Sequence, residues 1–170
     1  DVLVVSKQIS SSYMPLSAII VNDRFYQPIA DESNRIGVFG HGFTASGHPV
    51  ATAVGLENLK IIQERDLVGN AARLEEKFLG GLAKLAEHPL AHSSRGVGLI
   101  GALEMKPWEG AAAGDAAAAL SAACEEEGLI CRNVAEALCF CPPLIITAEQ
   151  IDDMFACVAR ALDKVAAARA

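Results

Sequence analysis

Lys7 stands at the end of an apolar run, VLVVS, and opens a serine-rich stretch that closes on a second apolar run, SAIIVN. A lysine drawn into such surroundings loses part of its hydration. That loss disfavours the ammonium, and a neutral amine can attack a carbonyl to form a Schiff base. The competing reading is an ordinary exposed lysine after a strand. A second candidate is GHGFTASGHP, residues 40–49. Its glycines let backbone approach a ligand closely, and Thr44 and Ser46 offer hydroxyls. Pro49 suits the first position of a helix. Hydroxyls beside a helix N-terminus suit an anion such as phosphate. No G-K-S/T follows, so this is not a Walker loop; a glycine-rich connection with capping residues is the alternative. The third candidate is Arg132, after Gly-Leu-Ile-Cys. A guanidinium recognises a carboxylate through two parallel hydrogen bonds. The alternative is a surface charge at a strand end.

Other chemistries find little support. No G-x-S-x-G elbow is present, and no paired carboxylates suggest glycosidase work. His41 and His48 flank the glycine loop at a spacing of seven, which favours structural roles. His88 and His92, around Pro89, read as solvent-facing. The five cysteines include no C-x-x-C pair. Cys139-Phe-Cys141 is a weak metal signal beside the longer ligand spacings of structural zinc sites. No metal is expected. Reduced, mostly buried thiols in a cytoplasmic protein are the reading of this cysteine content.

The elements that must position these residues alternate between strand and helix, an α/β pattern. Val2 to Val5 and Ser17 to Asn22 read as buried strands, with a polar loop over 6–16. Residues 23–48 read as mostly irregular, apart from a short helix near Phe25. A helix runs from Pro49 to about Glu64. Asp66 is placed to cap the next one, whose apolar face carries Leu67, Ala71, Leu74, Phe78, Leu82 and Leu85. Arg95 to Met105 reads as one glycine-punctuated strand, and 111–127 as an alanine-rich helix stopped by Gly128. Leu129 to Arg132 and Leu138 to Cys141 read as short strands. Thr147 and Gln150 form a capping box for a last helix with Ile151, Met154, Phe155, Val158, Leu162 and Val165 on one face. A boundary near residue 66 divides the chain into 1–66 and 67–170.

The 170 residues are 52% apolar, which excludes disorder and is high for a freestanding domain. Some apolar surface is expected to be covered by another chain or by a missing part of this one. The net charge of −7 argues against nucleic acid, whose phosphates are held by Lys and Arg. No basic run suits an anionic membrane surface, and no apolar run is long enough to span one.

Taken together, DVLVVSKQISSSYMPLSAIIV, GHGFTASGHPVATAVGLENLKII, RGVGLIGALEM and GLICRN followed by FCPPLIIT resemble class III aminotransferases, the pyridoxal-phosphate enzymes of fold type I. The likeness is nearest to ω-amino acid and amine:pyruvate transaminases and extends over nearly the whole chain. Ser12 and Ser17 stand where glycine is commoner in that class, and Ala45 where an aromatic is common. The resemblance implies that Lys7 forms the Schiff base with pyridoxal 5′-phosphate. It implies that Thr44 and the backbone amide of Phe43 bind the cofactor phosphate across a homodimer interface, and that Arg132 holds a substrate carboxylate. The substrates would be an amine or amino acid and a keto acid. The family's acidic partner of the pyridine nitrogen, which precedes the lysine, has no counterpart here. The chain is therefore expected to be a C-terminal portion, inactive alone. Residues 1–66 would end the large cofactor-binding domain, and 67–170 would form the small α/β domain. A non-catalytic dimerisation or scaffold module is the rival outside enzymology. An aminomutase or decarboxylating relative is the rival within it.

Overall fold

A computed structural model describes residues 1–42 and 44–169. These fall into two compact units, Asp1–Asp66 and Leu67–Ala170.

In the first unit, β1 (Val2–Val5) pairs antiparallel with β2 (Ala18–Val21), in a register that sets Val2 against Val21 and Val5 against Ala18. A short 3-10 helix, Lys7–Ser10, starts the connection between them. The two strands are apolar at nearly every position, yet Leu3 is 57% and Ile19 67% exposed. The burial read from their composition is therefore not provided within this chain. Next comes α1 (Asp23–Ile36), a full helix where the sequence suggests an irregular stretch. The Asn22 side chain caps it by accepting from the Phe25 N–H, and Gly37, at φ +78°, ends it. The usual signals mislead here. Pro28, inside the helix, argues against one, although Phe25, Ile29 and Ile36 recur at helical spacing on one face; no residue of the helix is buried. Pairs one turn apart, Gln27 with Asp31 and Arg35 with Glu32, support it instead. α2 (Pro49–Glu64) begins on Pro49 as expected and buries only Ala51 and Gly55.

The second unit has one core. α3 (Leu67–Leu85), α4 (Asp115–Glu126) and α5 (Ala148–Ala167) pack with a four-stranded antiparallel sheet of order β3-β4-β6-β5. The strands are β3 (Ala91–Val97), β4 (Ile100–Met105), β5 (Arg132–Val134) and β6 (Ala137–Phe140). Phe78, Leu103, Leu120, Leu138 and Ile151 are fully buried and join every layer of that core. The expected capping box on α5 is present: Thr147 Oγ1 accepts from the Gln150 N–H, and Gln150 Oε1 from the Thr147 N–H. Asp66, expected as a cap for α3, has φ +48°, outside the extended region in which N-cap residues normally sit.

Two strand expectations and two expectations of burial are corrected. Residues 95–105 are a hairpin, not one strand. The chain reverses in two residues because Gly98, at φ +56°, opens the turn and Leu99 completes it. The segment Leu129–Cys131 is irregular, and pairing begins only at Arg132. Its start is taken by the end of α4. There the Gly128 N–H donates to Glu125 O and the Leu129 N–H to Cys124 O, a Schellman closure. The cysteines are less buried than expected: Cys124 is buried, Cys141 exposed, and the other three lie between. The hydrogen bond between Cys124 and Cys131, with burial added, pushes the Cys124 thiol well above its ordinary range. His88 is half-buried beside Asp163, not solvent-facing. Among the described residues, no helix is long and apolar enough to cross a membrane, and no cluster of His, Cys, Asp or Glu is placed to hold a metal.

Candidate active site

Lys7 follows β1 after a single residue and is the first residue of the 3-10 helix. It is exposed, and its ammonium has no hydrogen-bond or ion-pair partner among the described residues. Its backbone is left-handed, at φ +53°. Ser11 and Ser12 are left-handed too, at +46° and +64°. Three of the five described non-glycine residues with positive φ thus lie within six positions of one another. Each costs about 1 kcal/mol or more and persists only where its surroundings over-determine it.

Those surroundings come from α2. Asn58 Nδ2 donates to the carbonyls of Gln8 at 2.7 Å and Ile9 at 3.3 Å, and Ser11 Oγ donates to Asn58 Oδ1 at 2.9 Å. One turn earlier, Gly55 lets the helix approach: a Cβ there would stand 2.6 Å from Leu16 Cδ2. Buried Ser10 closes the loop by donating to Met14 O at 2.7 Å.

Thr44 is exposed in the turn over residues 44–47, which delivers the chain to the N-terminus of α2. His48 is the residue before that helix, and its side chain makes no capping hydrogen bond. The first N–H groups of α2, those of Val50 and Ala51 since Pro49 has none, are therefore not taken by a cap from His48, and they follow the turn that carries Thr44 and Ser46 by three to four residues. A hollow of about 350 Å³ joins the two motifs, with Met14, Pro15 and Leu16 on one side and Ser46, Gly47 and His48 on the other. Phe43, expected to offer a backbone amide, lies outside the described residues.

Arg132 belongs to the second unit. It is the first residue of β5, paired opposite Cys139, and it is exposed with no ion-pair partner among the described residues. It borders a cavity of about 910 Å³ whose walls include Leu129, Val134, Phe140, Pro142 and Met154. A lone guanidinium on an apolar wall suits a ligand with a carboxylate at one end. The structure thus brings Lys7 and the Thr44 turn into one unit and sets Arg132 on the other. Asn58 escaped the sequence reading because its partners are backbone carbonyls some fifty positions away, which no local pattern signals.

The sequence pattern of the family described as aminotransferase class-III matches residues 1–162. The chain belongs to the class-III aminotransferases. Among curated members of that family, gamma aminobutyrate transaminase 1 of Solanum lycopersicum, described as mitochondrial, is 35% identical over 95% of this chain. The chain spans only 32% of that protein, and about a third of the other curated relatives it matches. A solved structure of a transaminase with L-ala is 47% identical, with a TM-score of 0.96, and the chain covers 41% of it. The ω transaminase of Pseudomonas jessenii in complex with PMP is 44% identical, with a TM-score of 0.92 over 96% of this chain and 37% of that one. The class-III aminotransferase fold of the expectation is thereby established for this part of the molecule.

Proposed function

We propose that the protein containing this chain moves an amino group from an amine or amino acid to a keto acid, with pyridoxal 5′-phosphate held through Lys7. The observation that carries the reading is Lys7 itself: an unpaired lysine at a strand end, on left-handed backbone. Family membership supports it, as do the PMP complexes of the similar enzymes from Pseudomonas jessenii and Vibrio fluvialis. The residues fit the cofactor. An aldehyde needs an amine without a permanent counter-ion, and a phosphate needs hydroxyl and N–H donors. Lys7 offers the first; Thr44 and the uncapped α2 N-terminus offer the second.

Bound pyridoxal phosphate supplies the electron sink for cleaving a bond at the carbon that carries the amino group. The chain's own residues do the rest. Lys7 Nζ would anchor the cofactor and, once displaced by the incoming amine, would be the base that removes the proton from that carbon and the acid that delivers it to the cofactor's aldehyde carbon. Thr44 Oγ1 and the first N–H groups of α2 hold the phosphate. In the homodimer we propose, they do so for the neighbouring subunit. Arg132 orients a substrate carboxylate against its apolar wall. The second unit is read as the small domain and the first as the end of the large one. Five unpaired cysteines fit a reducing compartment such as the cytoplasm.

The test is amine exchange in the full-length protein, with both products quantified. Wild type should convert an amine and a keto acid into the complementary pair, and Lys7→Ala should lower the rate by roughly 10²- to 10⁴-fold or more. An amino group moved within one substrate, or carbon dioxide released with the decarboxylated amine left and no keto acid aminated, would replace this reading with an aminomutase or a decarboxylase.

A further inference from the structure

The segment that carries Lys7 is held by one side chain of a neighbouring helix. Asn58 sits seven residues after Ala51 and three after Gly55, so the three share one face of α2. Ala51 and Gly55 are buried, and both are small. The absent side chain of Gly55 lets the helix axis come close to the connection after β1. At that distance an asparagine is the right length to reach backbone. Its amide reads both polarities at once: Nδ2 donates to the Gln8 and Ile9 carbonyls, and Oδ1 accepts from Ser11. These bonds span the four residues directly after Lys7, between the left-handed positions 7 and 11. A 3-10 helix of four residues has few internal hydrogen bonds of its own. Two carbonyls and a hydroxyl held from outside replace what it lacks. Gln8 adds only one exposed bond of its own, Nε2 to Ser11 Oγ at 3.3 Å.

We propose that Asn58 is a positioning residue for Lys7. It acts through the backbone of residues 8–11 to hold the lysine Cα in its left-handed conformation, and so fixes the direction from which Nζ meets a carbonyl. The proposal rests on the reading of Lys7 as the cofactor-binding lysine. A carboxylate in its place would keep the acceptor for Ser11 and lose both donations, setting charge against two carbonyl oxygens. An alanine would lose all three contacts. Misplacement of a reacting group by about 1 Å can cost 10²-fold, so the effect should be visible without loss of the fold.

The experiment uses the full-length protein stripped of cofactor. Pyridoxal phosphate is added, samples are reduced with borohydride over time, and the adducts on Lys7 and on the other lysines, including the five others of this chain, are quantified by peptide mass spectrometry. The visible circular dichroism of the bound cofactor is recorded in parallel, because it reports fixed orientation. Wild type should label selectively at Lys7. Asn58→Ala should slow Lys7 labelling at least tenfold, erode its selectivity, and weaken the cofactor's circular dichroism while the protein remains folded. Asn58→Asp should behave in the same way, and it decides the matter if the alanine variant does not fold. Wild-type labelling rate, selectivity and dichroism in a folded Asn58 variant would overturn the positioning role and leave the Lys7 reading intact. No selective labelling of Lys7 in wild type would overturn both.

Discussion

Ser12 holds φ +64° in a connection where Lys7 and Ser11 are also left-handed. A side chain there pays a steric cost that glycine does not. The resemblance sets glycine as the commoner residue at that place, and this backbone gives that expectation a physical meaning. Ser12→Gly should raise the unfolding free energy by about 1 kcal/mol or less, since glycine also gains freedom in the unfolded chain; urea titration reads it, and a loss of stability would contradict the conformation assigned. Glu127 makes a second prediction at this scale. Lys164, and after it Arg160, hold its carboxyl below the usual carboxylate range. Between the folded and unfolded values the unfolded chain binds more protons. The stabilisation is therefore present above the unfolded value of about 4.5 and lost as pH falls through the folded value. Glu127→Gln should melt below wild type at pH 7, and the difference should shrink as pH falls below about 4.5. A difference that persists unchanged at the lower pH would show that the ion pairs are not its source.

At the scale of elements, what the sequence discloses depends on whether a signal is local. α5 is legible because its capping box and its apolar face both lie within the segment. α2 is legible from Pro49. α1 is not: Pro28 contradicts its propensity, and no residue of it is buried in this chain. The β3–β4 hairpin is missed because Gly98 sits inside an apolar stretch that alternates no differently on either side of it. Lys7 and Thr44 are legible as motif residues, whereas the clamp on Lys7 is a tertiary contact between α2 and backbone. Packing between elements is testable at Gly101 of β4. A Cβ there would lie 2.3 Å from Leu82 Cδ1 and 2.9 Å from Phe78 Cε1, both side chains fully buried in α3. Gly101→Ala should therefore destabilise the second unit by about 1–3 kcal/mol, the usual cost of overpacking, read from thermal or urea unfolding. A neutral result would mean that α3 can recede from the sheet.

For the whole molecule, the two units differ in how much of themselves they bury. In the first, only Ser10, Ala51 and Gly55 are buried among the described residues, while the second owns the core. The chain exposes 11183 Å². Two separate compact domains sharing its 17.8 kDa would expose roughly 9,500 Å². The excess exceeds the roughly 800 Å² one partner gives to a standard interface, and the strands β1 and β2 contribute Val2, Leu3, Val4, Ile19 and Ile20 to the exposed apolar surface. Hydrogen exchange should accordingly show strong protection in β4 and β6 of this chain in isolation and little in β1 and β2, with protection of β1 and β2 appearing in the full-length protein. Equal protection of both sheets in the isolated chain would contradict this division. The central claim is nevertheless about one lysine. The most direct measurement is to load the full-length protein with pyridoxal phosphate, reduce it with borohydride, and map the adduct by peptide mass spectrometry. A single stoichiometric adduct on Lys7 is the predicted result; an adduct on another lysine, or label scattered over the surface, would contradict the account.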